Sequence, residues 1–184
     1  MSVTIYLIRH GEAAASWGDS PDPGLSPQGI LEAERAASEL SVRVPIPMTI
    51  VSSPMQRAVE TAQPLSVALN QPASIEPVFS EVPSPVPIAQ RHEWLKTMMS
   101  QTWGEQPTPI QAWRSAILSR LKSMTEHTAI FSHFMVINAV VSNLLARDKT
   151  VCFLPDNGSI TTITVSNGQI TLDTLGAENL SLVN

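Results

Sequence analysis

Val3-Thr4-Ile5-Tyr6-Leu7-Ile8-Arg9-His10-Gly11-Glu12 is the stretch that decides the fold. Five of its first six residues are β-branched or aromatic, which predicts a buried strand. That strand runs straight into an arginine and a histidine. Polar side chains at the carboxyl end of a buried strand are costly unless they line a crevice, and open α/β sheets bind ligands at that end. Gly11 lets the chain turn sharply and lets a ligand approach the backbone.

Outward from this opening, strand and helix patterns alternate. Leu25-Ser26-Pro27-Gln28-Gly29 reads as a helix start, with Ser26 as N-cap and Pro27 at the first helical position. Apolar residues at Ile30, Leu31, Ala33, Ala36, Ala37 and Leu40 continue it, and Pro45 and Pro47 end the unit. Met48 to Val51 predicts a second strand. Ser52-Ser53-Pro54-Met55-Gln56-Arg57-Ala58 follows, with Ser53 as expected cap, Pro54 in the first turn and Arg57 facing back to the strand end. This helix should run to about Leu69, kinked or shortened by Pro64. Ser74 to Phe79 predicts a third strand, ending at Ser80-Glu81.

Pro83, Pro85 and Pro87 make the next stretch an extended connector. Helices are expected from His92 to Ser100 and from Pro107-Thr108-Pro109 onward, and Thr128 to Phe131 is the fourth core strand. Ser132-His133 stands at its carboxyl end, before a helix from Phe134 to Ala146. Ser159–Val165 and Gln169–Asp173 flank Asn167-Gly168, a strong hairpin signal. The pattern predicts an α/β fold, a three-layer α/β/α sandwich whose mainly parallel sheet ends in a C-terminal antiparallel hairpin. Residues 1–184 are expected to form one domain, with 82–106 as a lid over the site.

Composition narrows the function classes. With 43% hydrophobic and 15% charged residues the 184-residue chain suits a globular protein rather than a disordered one. A formal net charge of −5 argues against nucleic-acid or anionic-membrane partners, so any anion site must be built locally from a few Arg and His residues. No apolar run approaches the ~18 residues of a bilayer span and no secretory pattern opens the chain, which points to the cytoplasm. The single Cys152 reads as a core residue. His127 reads as a structural group at a helix end. Arg91, His92 and Lys96 read as a solvated helix face that could also reach a substrate. No metal is expected, since the four histidines show no ligand spacing, and no nucleotide cofactor, since phosphate-binding glycine loops are absent.

The chemistry gathers at strand ends: Arg9 with His10, Arg57 just past its strand, Glu81, and His133. In a parallel sheet those ends share one edge, so residues distant in sequence meet. Two arginines can clamp a phosphoryl or carboxylate group, a histidine can carry covalent chemistry, and a carboxyl can serve as acid and base. Arg9-His10-Gly11-Glu12, the Leu25–Gly29 helix start, Ser52–Ala58 with Thr61-Ala62, Phe79-Ser80-Glu81, Ser132-His133 and Asn157-Gly158-Ser159-Ile160 together resemble, in order, the motifs of the histidine phosphatase superfamily, the phosphoglycerate mutase-like fold.

That resemblance implies His10 as phosphorylated nucleophile, Arg9, Arg57 and protonated His133 holding the phosphoryl oxygens, and Glu81 as proton donor, with no cofactor. The family commonly places an asparagine soon after the opening motif. Here Ser16 and the Gly11 backbone are the candidate phosphate contacts. The second histidine is usually followed by glycine, whereas here Phe134 follows and offers its backbone N–H. Val82-Pro83-Ser84-Pro85 replaces a Gly-rich, Glu-containing segment, which leaves Glu93 and Glu105 as alternative donors. The expected activity is hydrolysis of a small phosphorylated substrate or a phosphoprotein. Mutase chemistry, phosphohistidine-protein hydrolysis and a non-catalytic phospho-ligand module are the alternatives.

Overall fold

A computed structural model describes residues 2–15, 21–43, 45 and 47–179. Its strands are β1 (Ser2–Arg9), β2 (Thr49–Ser52), β3 (Ser74–Ile75), β4 (Thr128–Ser132), β5 (Ile160–Ser166) and β6 (Gln169–Thr174). Its helices are α1 (Pro27–Arg43), α2 (Gln56–Ala68), α3 (Arg91–Ser100), α4 (Thr108–Lys122) and α5 (Phe134–Leu144). The strands form one sheet in the order β3-β2-β4-β1-β5-β6. β1, β2, β3 and β4 pair in parallel, while β5 runs antiparallel to β1 and β6 antiparallel to β5.

The two-residue period of the strands sorts the core into two layers. Tyr6, Ile8, Ile50, Ala129 and Phe131 pack on α1 and α2 through Ala36, Leu40, Ala62 and Leu65. Ile5, Leu7, Val51 and Ile130 face the other way, onto Ile117 and Leu121 of α4 and Val136, Ile137 and Val140 of α5. All five residues of β4 are buried, as expected of a central parallel strand covered on both faces. A one-residue slip of β1 would swap both layers and turn Arg9 into the core, so burial itself fixes the register.

In that register Arg9 lies opposite Ser132, and Ser52 opposite Phe131. The ladder continues one step beyond each strand: His10 N–H donates to Ser132 O at 3.0 Å, and Ser53 N–H to Phe131 O at 3.0 Å. His10, Ser53 and His133 therefore leave the sheet together at one edge. α1 begins as its sequence demands, with Ser26 Oγ accepting the Gly29 N–H at 3.0 Å. Asn167 and Gly168 both have positive φ, as the tight β5–β6 turn requires.

Several expectations need correction. The third strand covers only Ser74–Ile75, and Pro77–Phe79 forms a 3-10 turn, because Pro77 has no N–H to offer a ladder. α2 starts at Gln56 rather than at Ser53-Pro54, and it continues through Pro64. Its first N–H groups are met from elsewhere: the Gln56 N–H donates to Asp22 Oδ1 at 2.9 Å. α4 ends at Lys122, so His127 does not sit at a helix end. Its Nδ1 accepts the Thr4 N–H at 3.0 Å and holds the start of β1.

The turn after β1 is packed backbone against backbone. A Cβ on Gly29 would meet Glu12 N at 2.9 Å and the Glu12 carbonyl still closer, and one on Gly11 would meet Gly29 Cα at 2.9 Å. Gly29→Ala should therefore destabilise the protein by roughly 1–3 kcal/mol through overpacking. Gly104→Ala, whose new Cβ finds nothing nearer than 3.7 Å, should change little. Urea denaturation of both variants checks the contrast.

Candidate functional site

At the carboxyl edge of the parallel strands the first turn of α2 places Arg57 between two imidazoles. Arg57 Nε donates to His10 Nε2 at 3.1 Å, and its Nη2 lies 3.3 Å from His133 Nδ1. The ring centroids of His10 and His133 are 5.2 Å apart at 63°. None of the three is open to solvent: His133 is 0%, Arg57 5% and His10 6% exposed.

The hydrogen bonds assign the tautomers. His10 Nδ1 lies 2.7 Å from Gly11 O, and a carbonyl can only accept, so Nδ1 carries the proton. Nε2 keeps its lone pair and points it at Arg57. For His133 the guanidinium can only donate, so Nδ1 is bare and Nε2–H donates to Ser53 Oγ at 2.7 Å. The Ser53 hydroxyl, expected to cap a helix, supports the second histidine instead, while also accepting the Met55 N–H at 3.2 Å.

Electrostatics hold both rings neutral. Burial first, then the Arg57 and Arg9 charges, push His10 well below the ordinary imidazole range. Burial first, then His10 and the surrounding arginines, do the same to His133. Without an anion beside it the protonated form of His133 is disfavoured, because a cation there would sit unsolvated beside other cations.

Glu81 is shifted the opposite way. It is 7% exposed, and burial outweighs the nearby arginines to raise its pKa. Oε1 accepts the Val82 N–H at 2.9 Å, whereas Oε2 is buried with no partner. The segment that leads into it is anchored to α4 and β4. Arg120 clamps Glu76 through two hydrogen bonds of 2.8 and 2.7 Å, Ser132 Oγ donates to Phe79 O at 2.9 Å, and Trp113 Nε1 donates to Ser80 O at 3.1 Å. Of the alternative donors, Glu93 is exposed on α3, and Glu105 is exposed and bound to the Thr102 N–H and hydroxyl at 2.7 Å each. Neither comes to the cluster.

Arg9 completes it from the end of β1. Its Nη1 donates to Pro155 O at 2.7 Å, its Nε is buried without a partner, and the guanidinium lies 5.3 Å over the Phe134 ring. The loop carrying Asn157 and Ser159 wraps its backbone: Gly158 N–H donates to Arg9 O at 3.0 Å and Arg9 N–H to Ser159 O at 3.1 Å. Phe134 opens α5, and its side chain turns inward among Val82, Leu95, Met98 and Trp103, which leaves the helix start clear of a bulky group. The Gly11 N–H donates to Thr61 Oγ1 at 3.0 Å. Ser16 lies outside the described residues.

The edge thus gathers Arg9, His10, Arg57, Glu81 and His133. It also gathers Ser53, read from the sequence as a cap, Thr61, quoted only as part of a motif, Arg91, read as a solvated residue that could also reach a substrate, and Asp22, which sequence reasoning passed over. Asp22 Oδ1 lies 3.9 Å from Arg57 Nη1, and Arg91 Nη2 donates to Val82 O at 3.3 Å. The spacing of Arg91 with Leu95 and Met98 was a signal for its inward orientation. Chemically the set can hold a phosphoryl dianion on guanidiniums, present an imidazole lone pair to it, and deliver one proton. Among the described residues no cluster of His, Cys, Asp and Glu is arranged to hold a metal ion, and no helix is long and apolar enough to cross a membrane.

Solved structures share this architecture at low identity. A phosphoserine phosphatase from Entamoeba histolytica, in complex with 3-phosphoglyceric acid, is 23% identical with a TM-score of 0.74, over 96% of this chain and 98% of that one. A mycobacterial glucosyl-3-phosphoglycerate phosphatase is 18% identical with a TM-score of 0.72, over 97% of this chain and 100% of that one. These are likenesses of fold, phosphoglycerate mutase-like. No curated protein matches by sequence. The family model that does match, over residues 5–178, is that of the histidine phosphatase superfamily, branch 1, and the chain belongs to that superfamily.

Proposed function

We propose that the protein is a phosphomonoester hydrolase that works through a phosphohistidine on His10. The observation that carries this reading is the His10 tautomer. Nδ1–H is bonded to Gly11 O, so the nucleophilic lone pair is on Nε2, at the point where Arg57 would hold a phosphoryl group. The substrate's oxygens would take the Arg57 Nε–H and the free Arg9 Nε–H, releasing Nε2 to attack. As the P–N bond forms, the P–O ester bond breaks and Glu81 gives its proton to the leaving oxygen. The carboxylate left behind then takes a proton from water, which attacks phosphorus, breaks the P–N bond and returns the electron pair to Nε2. The arginines and the α5 N-terminus offset the charge on the equatorial oxygens, and a bound dianion would raise the pKa of His133 towards its donor form. The unpartnered Oε2 of Glu81 and its raised pKa support the acid role over Glu93 or Glu105.

The same reading treats residues 82–106 as cover for the site within one domain. Support comes from Val82, Leu95, Met98 and Trp103 packing on Phe134, and from Trp103 Nε1 donating to Ser142 Oγ at 2.7 Å. Hydrolysis is preferred over phosphoryl transfer between hydroxyls because this cover is short.

Leaving groups test the role of Glu81. Glu81→Gln should slow phosphoenzyme formation from an alkyl phosphate by about 10²–10⁴-fold. Nitrophenyl phosphate, whose leaving group needs no proton, should still give a burst of nitrophenolate. Equal losses in the burst rate would make Glu81 a structural residue.

The pH profile follows from the two opposed shifts. Lowering pH protonates His10 only below the ordinary imidazole range, and raising pH strips Glu81 only above the ordinary carboxyl range. For an alkyl phosphate kcat/KM should be bell-shaped between those limits. With nitrophenyl phosphate the Glu81 limb should vanish while the acidic limb remains.

A further inference from the structure

One peptide group, the one joining Gly11 to Glu12, holds the ring of His10 and meets a carboxylate at its other end. Its carbonyl accepts the His10 Nδ1–H at 2.7 Å, and its N–H donates to Glu32 Oε2 at 2.8 Å. Ring, peptide and carboxylate thus form one chain of hydrogen bonds. The packing of α1 on the turn delivers Glu32 there. Ser26 N–H donates to Glu12 O at 2.9 Å, Gly29 lies against the Glu12 backbone, and Glu32 follows about one turn later. The Glu12 side chain is engaged elsewhere, accepting the Ser26 hydroxyl at 2.6 Å. Glu32 itself is half-buried, and its other oxygen accepts from Gln28 Nε2 at 3.2 Å. Among the described residues no cation stands within ion-pair distance of it.

Phosphoryl transfer gives such a chain a use. As the Nε2 lone pair forms the P–N bond, Nδ1 keeps its proton and the ring passes from neutral to cationic. The charges that act on His10, those of Arg57 and Arg9, are both positive and oppose that change. His133 beside it brings no negative charge, Glu81 is an acid only while protonated, and Asp22 faces Arg57 and the Gln56 N–H. A peptide polarised by a carboxylate at its N–H is a stronger acceptor at its carbonyl, because linked hydrogen bonds reinforce one another. We propose that Glu32 is a positioning residue for the nucleophile: through the Gly11–Glu12 peptide its carboxylate strengthens the bond to His10 Nδ1–H and stabilises the ring as it becomes cationic. The phosphoryl step rests on the hydrolase reading, whereas the coupling of Glu32 to the ring is measurable without turnover.

Glu32→Gln keeps an acceptor for the Glu12 N–H and removes the charge. Rapid quenching should show phosphoenzyme formation slowed about three- to tenfold, the difference between a charge-assisted and a neutral hydrogen bond. The loss should be the same for an alkyl and a nitrophenyl phosphate, because the nucleophile rather than the leaving group is affected. Inorganic phosphate, titrated calorimetrically, should bind no more weakly than to the wild type, since Glu32 only opposes the arginines. Glu34→Gln makes the same charge change on the exposed face of α1 and should leave the rate unchanged. In ligand-free protein labelled with nitrogen-15 histidine, the His10 Nδ1–H proton resonance, assigned by its loss in His10→Ala, should move upfield in Glu32→Gln. An unslowed rate or an unmoved resonance in Glu32→Gln would overturn the proposal, and impairment confined to Glu32→Ala would make the residue a structural acceptor. Weaker phosphate binding that accounts for the loss, or an equal loss in Glu34→Gln, would overturn it too. A wild type that forms no phosphoenzyme would end the hydrolase reading alone, and the resonance would then decide whether Glu32 acts on the ring.

Discussion

One guanidinium, that of Arg57, is wedged between two buried imidazoles, and the rest of the edge is arranged around it. A buried cation is costly unless it is paired, yet among the described residues the nearest carboxylate oxygen, from Asp22, is 3.9 Å away. Its closest partners are two neutral rings. That deficit makes the pocket receptive to a dianion, because the desolvation is already complete before the ligand arrives. Burial, reinforced by that charge, lowers the pKa of both His10 and His133.

The parallel pairing of β1 and β4 makes the wedge possible. It brings His10 and His133 out of the sheet side by side, and the pairing of β2 with β4 delivers α2 to the gap between them. The carboxyl group of Glu81 enters the same low-dielectric space and responds with the opposite shift. Burial disfavours the charged form of every group it touches, so it lowers the pKa of an imidazole and raises that of a carboxyl. Base and acid thus coexist within one small cluster, the pattern by which paired titratable groups divide their roles.

Much of this was legible in the chain. The β-branched run before Arg9 and the strand before Ser132-His133 carry their polar ends in the sequence itself, and their hydrophobic burial leaves one register. Other features depended on contacts that no local pattern encodes. Ser53 looks like a cap because Pro54 follows it, but an imidazole distant in sequence competes for its hydroxyl and the helix starts later. Ser74–Phe79 reads as a strand through Ile75, Val78 and Phe79, and a single missing N–H at Pro77 ends the ladder. Arg91 reads as solvated because charged helix residues usually are, although its spacing from Leu95 and Met98 places it on the covered face. The standing of Glu81 against Glu93 and Glu105 came only from tertiary burial and from anchors on α4 and β4.

The central claim is that the phosphoryl group is accepted by one nitrogen of one ring. Rapid quenching of the enzyme with a phosphodonor, followed by mass spectrometry and phosphorus NMR under alkaline conditions, measures it most directly. The account predicts an acid-labile phosphoramidate on Nε2 of His10, which forms and decays at rates compatible with turnover and is absent from the His10→Ala variant. Turnover with no phosphoenzyme, or phosphate found on His133 or on Nδ1 of His10, would contradict it.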